Sequence, residues 1–143
     1  MTGYVLDASV AIKWFIPEIH SDMARYVSRL QARLHVPSFI RLEMGSVLAK
    51  KIRREELARD EGDVILKEFS QLPLQYHPDE RLFHAGYALA LVTHQSLYDC
   101  LYLALAETID GALITADRKF FQTLSNGPYG PRIIWIEDIV RLE

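Results

Sequence analysis

Apolar residues recur along this chain in two rhythms. Runs of three or four suit short buried strands, and recurrences every three or four positions suit helices. The run at 4–6 ends in Asp7, after which Ala8, Ile12, Phe15 and Ile16 return at helical spacing until Pro17, so the chain opens with a strand and then a helix. Over 20–34, Met23, Tyr26, Val27, Leu30 and Leu34 share one helical face, and a brief strand at 34–36 precedes Pro37. Ser38 is placed to cap a helix over 39–54 that is apolar at Phe39, Ile40, Leu42, Val47, Leu48 and Ile52. Its far end is basic, where cations suit the helix dipole. The remaining pattern predicts helices over 56–69, 79–92, 96–108 and 117–124, and strands over 73–76, 112–115 and 133–136. Strands separated by helices imply a three-layer α/β/α fold around a central, mostly parallel sheet of four or five short strands with right-handed crossovers. With no repeat or linker in 143 residues, the chain reads as one domain, 1–143.

Composition narrows the classes. Half of the residues are hydrophobic and 24% are charged, which excludes a disordered or collagenous chain. Sixteen Lys and Arg against 19 Asp and Glu leave a formal charge of -3, so a polyanionic partner has to be met by a local basic patch or by metal ions. The single cysteine, Cys100, excludes an internal disulfide and a cysteine-based zinc cage, and fits a reducing compartment. The first residues lack the basic head, apolar stretch and cleavage site of a secretory signal, and no uncharged apolar stretch approaches the ~20 residues that span a bilayer. A soluble, cytoplasmic protein is the expectation.

The informative residues are acids in apolar surroundings, because a buried carboxylate has to be paired, neutralised or bound to a metal. Asp7 ends the first strand and Asp117 follows the strand at 112–115, at the sheet edge where open parallel sheets bind ligands. Helix capping alone accounts for either of them singly. Glu43 has Phe39, Ile40, Ser46 and Val47 as helical neighbours and no cation among them. Asp99 follows Ser96 at capping-box spacing, at the amino end of the apolar helix that runs through Cys100 and Ala106. Gathered together, four such acids would repel one another unless a divalent cation sat among them, and hard oxygen donors suit Mg²⁺ or Mn²⁺. Mg²⁺ keeps several waters and takes few protein ligands, which leaves its shell open to substrate phosphate oxygens. His20, His35, His77, His84 and His94 show no close ligand spacing and are assigned to surface or core packing.

Read together, the stretch 4–15 around Asp7, then Glu43, then 98–106 around Asp99, then 114–120 around Asp117 resembles the PIN-domain family, particularly the VapC-type toxins of toxin-antitoxin pairs. The resemblance covers nearly the whole chain. It implies a PIN-like fold and a magnesium-dependent ribonuclease, with Mn²⁺ as a possible substitute, whose acids correspond to Asp7, Glu43, Asp99 and Asp117. Asp7, Asp99 and Asp117 are the expected metal ligands, and Ser9 and Thr115 the hydroxyl neighbours of the site. Many relatives carry Asn three residues after Glu43, where this chain has Ser46, a shorter group placed to orient the glutamate or a water. The resemblance also implies 3′-hydroxyl and 5′-phosphate products, a homodimer, and a cognate antitoxin laid across the acidic groove.

Binding RNA at a net charge of -3 needs local cations. Lys13, Arg118 and Lys119 are the RNA-binding candidates, since they lie a short distance along the chain from site acids. Lys50, Lys51, Arg53 and Arg54 form the densest group but are followed by Glu55 and Glu56, and Arg53 and Arg54 read as a solvated face. Trp14, Phe15, Tyr98 and Tyr102 read as core rather than as stacking platforms. The apolar early helices, with Ile12, Trp14, Phe15, Ile16, Val47, Leu48 and Ile52, offer more apolar surface than one small sheet needs, either with some of it set aside for a protein interface or as ordinary core. Two competing classes are a non-catalytic PIN-like RNA-binding or scaffold module and a receiver-like phosphoacceptor domain. The second wants paired acids after the first strand, where this chain has Ala8 and Ser9.

Overall fold

A computed structural model describes residues 3–18, 20–29 and 33–142. Five strands, β1 (Gly3–Leu6), β2 (Arg33–Pro37), β3 (Gln75–His77), β4 (Ala112–Thr115) and β5 (Ile133–Trp135), form one sheet in the order β3-β2-β1-β4-β5. Every pairing is parallel, with Val5 opposite both His35 and Leu113. β1 and β4 are buried throughout or nearly so, as all-parallel strands covered on both faces must be. The helices are α1 (Ala8–Ala11), α2 (Ser21–Arg29), α3 (Ile40–Arg53), α4 (Arg59–Ser70), α5 (Asp79–Thr93), α6 (Leu97–Thr108) and α7 (Arg118–Ser125), and they complete the three-layer α/β/α arrangement.

α6 is the spine of the core. Its residues Cys100, Leu101, Tyr102, Leu103, Ala104, Leu105 and Ala106 are all buried, because the helix packs on β1, β2 and β4 while α5 backs it from the other side. Gly86 permits the close approach of α5, since a methyl group there would sit 2.7 Å from Leu101 Cδ2. On leaving α6 the chain turns through Asp110, whose φ is 52°, and Arg132 fastens the turn by pairing with the Asp110 carboxylate at 2.8 Å and donating to the Gly111 carbonyl. That anchor delivers β4 beside β1. No helix among the described residues is long and apolar enough to cross a membrane.

Several local expectations change. The first helix stops at Ala11 and continues as a 3₁₀ turn, Ile12–Trp14, tied down by the Trp14 indole donating to the Ala24 carbonyl at 2.6 Å. The helix expected over 20–34 ends at Arg29, because Leu34 pairs with Tyr4 in the sheet; Leu30 lies outside the described residues. Ser38 is not the cap of α3: its hydroxyl donates to the His77 carbonyl, and the Asp79 carboxylate accepts from the Phe39 amide instead. Ile12 and Leu48 are core, not free surface, whereas Leu42 is 75% exposed. Uncovered large apolar groups instead include Phe83, Tyr87, Leu91 and Val92 on α5.

Candidate active site

The strand order reverses between β1 and β4, which is where an open parallel sheet leaves a crevice beyond its carboxyl ends. Asp7 follows β1 directly and is only 8% exposed. Its Oδ1 accepts from the Ser9 hydroxyl at 2.5 Å and the Val10 amide at 3.3 Å, and its Oδ2 accepts from the Thr115 hydroxyl at 2.5 Å. Each hydroxyl is itself oriented, Ser9 Oγ accepting from the Ala116 amide and Thr115 Oγ1 from the Asp117 amide. Of these five hydrogen bonds, two, from Thr115 to Asp7 and from Ala116 to Ser9, join the end of β1 to the end of β4. Together the five hold the Asp7 carboxylate in one orientation at the floor of the crevice.

Three more acids stand around it. Asp117 caps α7, its Oδ1 accepting from the Phe120 amide at 3.1 Å. Asp99 sits half-buried in the first turn of α6, and its amide donates to the capping Ser96 hydroxyl. Glu43 lies in the first turn of α3, half-buried, and its Oε1 accepts from the Tyr102 hydroxyl at 2.6 Å. Asp7, Glu43, Asp99 and Asp117 thus line one cavity of about 550 Å³, together with Ser9, Ser46, Tyr98 and Tyr102. Capping and cavity lining coincide at Asp7 and Asp117.

Burial pushes the Asp7 carboxyl up to about 6 from 3.8, against the lowering effect of the Ser9 and Thr115 hydroxyls and with a further upward push from the Asp99 charge. Glu43 is raised by burial, opposed by the Tyr102 hydroxyl and reinforced by Asp99. Asp99 is raised by burial, opposed by Ser96 and reinforced by Asp117. Asp99 is therefore the charge common to these repulsions, acting on Asp7 and Glu43 and itself raised by Asp117. Burial, then the Glu43 charge, raises the Tyr102 phenol far above its usual range, so it stays a hydrogen-bond donor.

The lining offers carboxylate and hydroxyl oxygens with no histidine or cysteine, a donor set that fits a hard divalent cation. Among the described residues, no three acid, histidine or cysteine side chains already close on one point. An ion that keeps several waters requires no such closure.

The other residues singled out in the sequence are scattered. Lys13 is buried and pairs with Glu18 at 3.8 Å. Arg118 lies over the Trp135 ring, 4.5 Å from its centroid, and pairs with Glu137. Lys119 is exposed on α7, outside the lining. Ser46 lines the cavity but makes no side-chain hydrogen bond among the described residues, and the task of orienting Glu43 falls to Tyr102. Tyr98, expected in the core, is 59% exposed at the cavity rim, its ring against Phe39. The signal for Tyr102 was present: it lies one helical turn after Asp99, and a buried tyrosine hydroxyl needs a partner. His35 and His77, 42 residues apart, meet across β2 and β3 at 2.9 Å, away from the acids.

Known proteins resemble this chain throughout. Ribonuclease VapC3 of Pyrobaculum aerophilum is 36% identical over 118 residues, covering 80% of this chain and 89% of the relative. Ribonuclease VapC9 of Mycobacterium tuberculosis is 31% identical over 119 residues, covering 83% and 89%. A crystal structure of PAE2754 from Pyrobaculum aerophilum superimposes with a TM-score of 0.71 at 23% identity, covering 99% of this chain and 89% of that one. A toxin-antitoxin complex from Klebsiella pneumoniae gives 0.62 at 14% identity, covering 92% and 96%. At those identities the two structures speak for the fold alone. The family model for the PIN domain matches residues 4–124, and with that match and the VapC3 likeness the chain belongs to the PIN-domain family.

Proposed function

We propose that this protein, read as one domain over 1–143, is a metal-dependent endoribonuclease and the toxin member of a toxin-antitoxin pair. The observation that carries the reading is the convergence of four carboxylates, from the ends of two strands and the first turns of two helices, on one cavity. The likeness to curated VapC ribonucleases supports RNA as the substrate, and the same reading takes a cognate antitoxin as a partner and a homodimer as the working form.

Asp7, Asp99 and Asp117 would hold Mg²⁺, or Mn²⁺ in its place. When bound, the ion supplies Lewis acidity, lowering the pKa of a coordinated water and offsetting charge on the phosphate at the transition state. The chain's own groups do the rest. Ser9 and Thr115 fix the Asp7 carboxylate so that no reorientation is needed on loading. Tyr102 occupies one oxygen of Glu43, while the other has no protein hydrogen bond among the described residues and is free to take a proton from the attacking water. Burial and the charge on Asp99 raise the proton affinity of Glu43, the direction that favours a general base.

The test is cleavage of structured RNAs in Mg²⁺, Mn²⁺ or EDTA by the wild type, Asp7→Asn and Asp99→Asn. Loss of cleavage by more than a hundredfold in both variants and in chelator, with circular dichroism unchanged, is expected. Activity that survives both substitutions, or persists in EDTA, overturns the mechanism. A non-catalytic RNA-binding module would cleave nothing in either form and would bind RNA as well after Asp7→Asn.

A further inference from the structure

The acid cavity does not end at Val47. A second cavity of about 360 Å³ adjoins it, sharing Ser9, Ile12 and Val47 with the first and walled by Lys13, Lys50, Lys51 and Arg54. We propose that this second cavity is a phosphate subsite for the RNA strand flanking the cleaved position, with Lys50 and Arg54 as the groups that bind it. The proposal rests on the ribonuclease reading and adds to it the path the strand takes.

The wall's charges divide unequally. Lys13 and Lys51 are both tied to Glu18, at 3.8 and 3.6 Å, and Lys51 also reaches Glu56 at 3.9 Å. Lys50 and Arg54 have no ion pair among the described residues, and both are exposed. Four cations against two acids leave this wall positive on a chain whose overall charge is -3. The surplus sits on the two side chains that no acid neutralises.

The helix explains why those two meet the strand. Ser46, Lys50 and Arg54 are four residues apart, so they form one outward stripe on α3 that begins in the acid cavity and runs about 12 Å to the helix end. A strand with one phosphate at the carboxylates would lay its neighbours along that stripe. The ordinary reason for cations at a helix carboxyl terminus is the dipole. It applies equally to Arg53, which is exposed in the same last turn and lies outside both cavities. Arg53 is therefore the matched control. RNA is favoured over an acidic protein segment because the cavity adjoins the carboxylates at which, on the ribonuclease reading, the same strand is cut.

The experiment measures fluorescence anisotropy of a labelled single-stranded RNA over a salt series, using full-length Asp7→Asn protein so that nothing is cleaved. In that background, Lys50→Ala with Arg54→Ala is expected to weaken binding about tenfold and to flatten the slope of log K against log salt by about 1.4, roughly 0.7 per lost contact. Arg53→Ala should change neither by a comparable amount. In otherwise wild-type protein the double substitution should raise KM and leave kcat in place. An unchanged slope, or an equal effect of Arg53→Ala, overturns the subsite. So does a loss of affinity confined to a polyglutamate peptide, which would reassign the wall to a protein. If the wild type cleaves no RNA while the salt slope still answers to Lys50 and Arg54, the ribonuclease reading falls and the subsite stands.

Discussion

Folding this protein without metal at neutral pH buries a carboxylate that water would solvate better, and Asp7→Asn should expose that cost. Asp7 titrates at about 6 when folded and at 3.8 ordinarily. A folded-state value above the unfolded one means that the stabilising contribution belongs to the protonated form. It is complete below about pH 4 and is lost as the pH rises through about 6. At about 1.4 kcal/mol per pH unit, the ionised group costs about 3 kcal/mol at pH 7.5 and about 1 kcal/mol at pH 4.5. Asparagine removes the charge and keeps the shape, but its amide presents hydrogens to hydroxyls that now donate to Asp7, so one of Ser9 or Thr115 loses its acceptor. That costs about 1–2 kcal/mol. The net expectation is a gain of about 1–2 kcal/mol at pH 7.5 and a loss of up to about 1 kcal/mol at pH 4.5. Urea denaturation in EDTA, followed by the fluorescence of Trp14 and Trp135, reads both numbers. Adding Mg²⁺ should then raise the wild-type midpoint and leave the variant's unmoved. A variant less stable than wild type at pH 7.5, or a difference that is the same at both pH values, would refute the assignment of the cost to the Asp7 charge.

Two further predictions concern the groups that place the other acids. Tyr102→Phe keeps the core filled but releases Glu43, so kcat should fall about tenfold, or about 1.4 kcal/mol, with Mn²⁺ binding by calorimetry and the thermal midpoint both nearly unchanged. An unaltered kcat would show that Glu43 needs no such holder. Ser96→Ala removes the side-chain acceptor for the Asp99 amide at the start of α6 and should cost about 1 kcal/mol in denaturant midpoint.

Periodicity located most of the helices and strands because burial imposes it. α6 is apolar all round since it lies between the sheet and α5, and β4 is apolar throughout since both its faces are covered. Asp7, Glu43, Asp99 and Asp117 stood out for the same reason, as charges at positions where the pattern called for apolar side chains or chain turns. What periodicity could not reveal was pairing over long chain separations. The Tyr102 hydroxyl meets Glu43 across 59 residues, and Asp79 takes over the cap of α3 from across 40. Leu42 fell on the apolar stripe of its helix yet faces the cavity rim, because α3 leaves one flank open where the crevice begins. Likewise the split of the basic run, with Lys51 paired and Lys50 and Arg54 without an ion pair among the described residues, depends on where Glu18 comes to rest.

The clasp between Asp7 and Thr115 closes a loop of 108 residues. A nascent polypeptide that has emerged only as far as α6 already displays Asp7, Glu43 and Asp99, but it lacks both the Thr115 hydroxyl, one of the two that secure the first acid, and the fourth acid itself. The proposed activity is thus withheld until β4 and Asp117 have been made. Fragments that stop short of β4 should cleave no RNA.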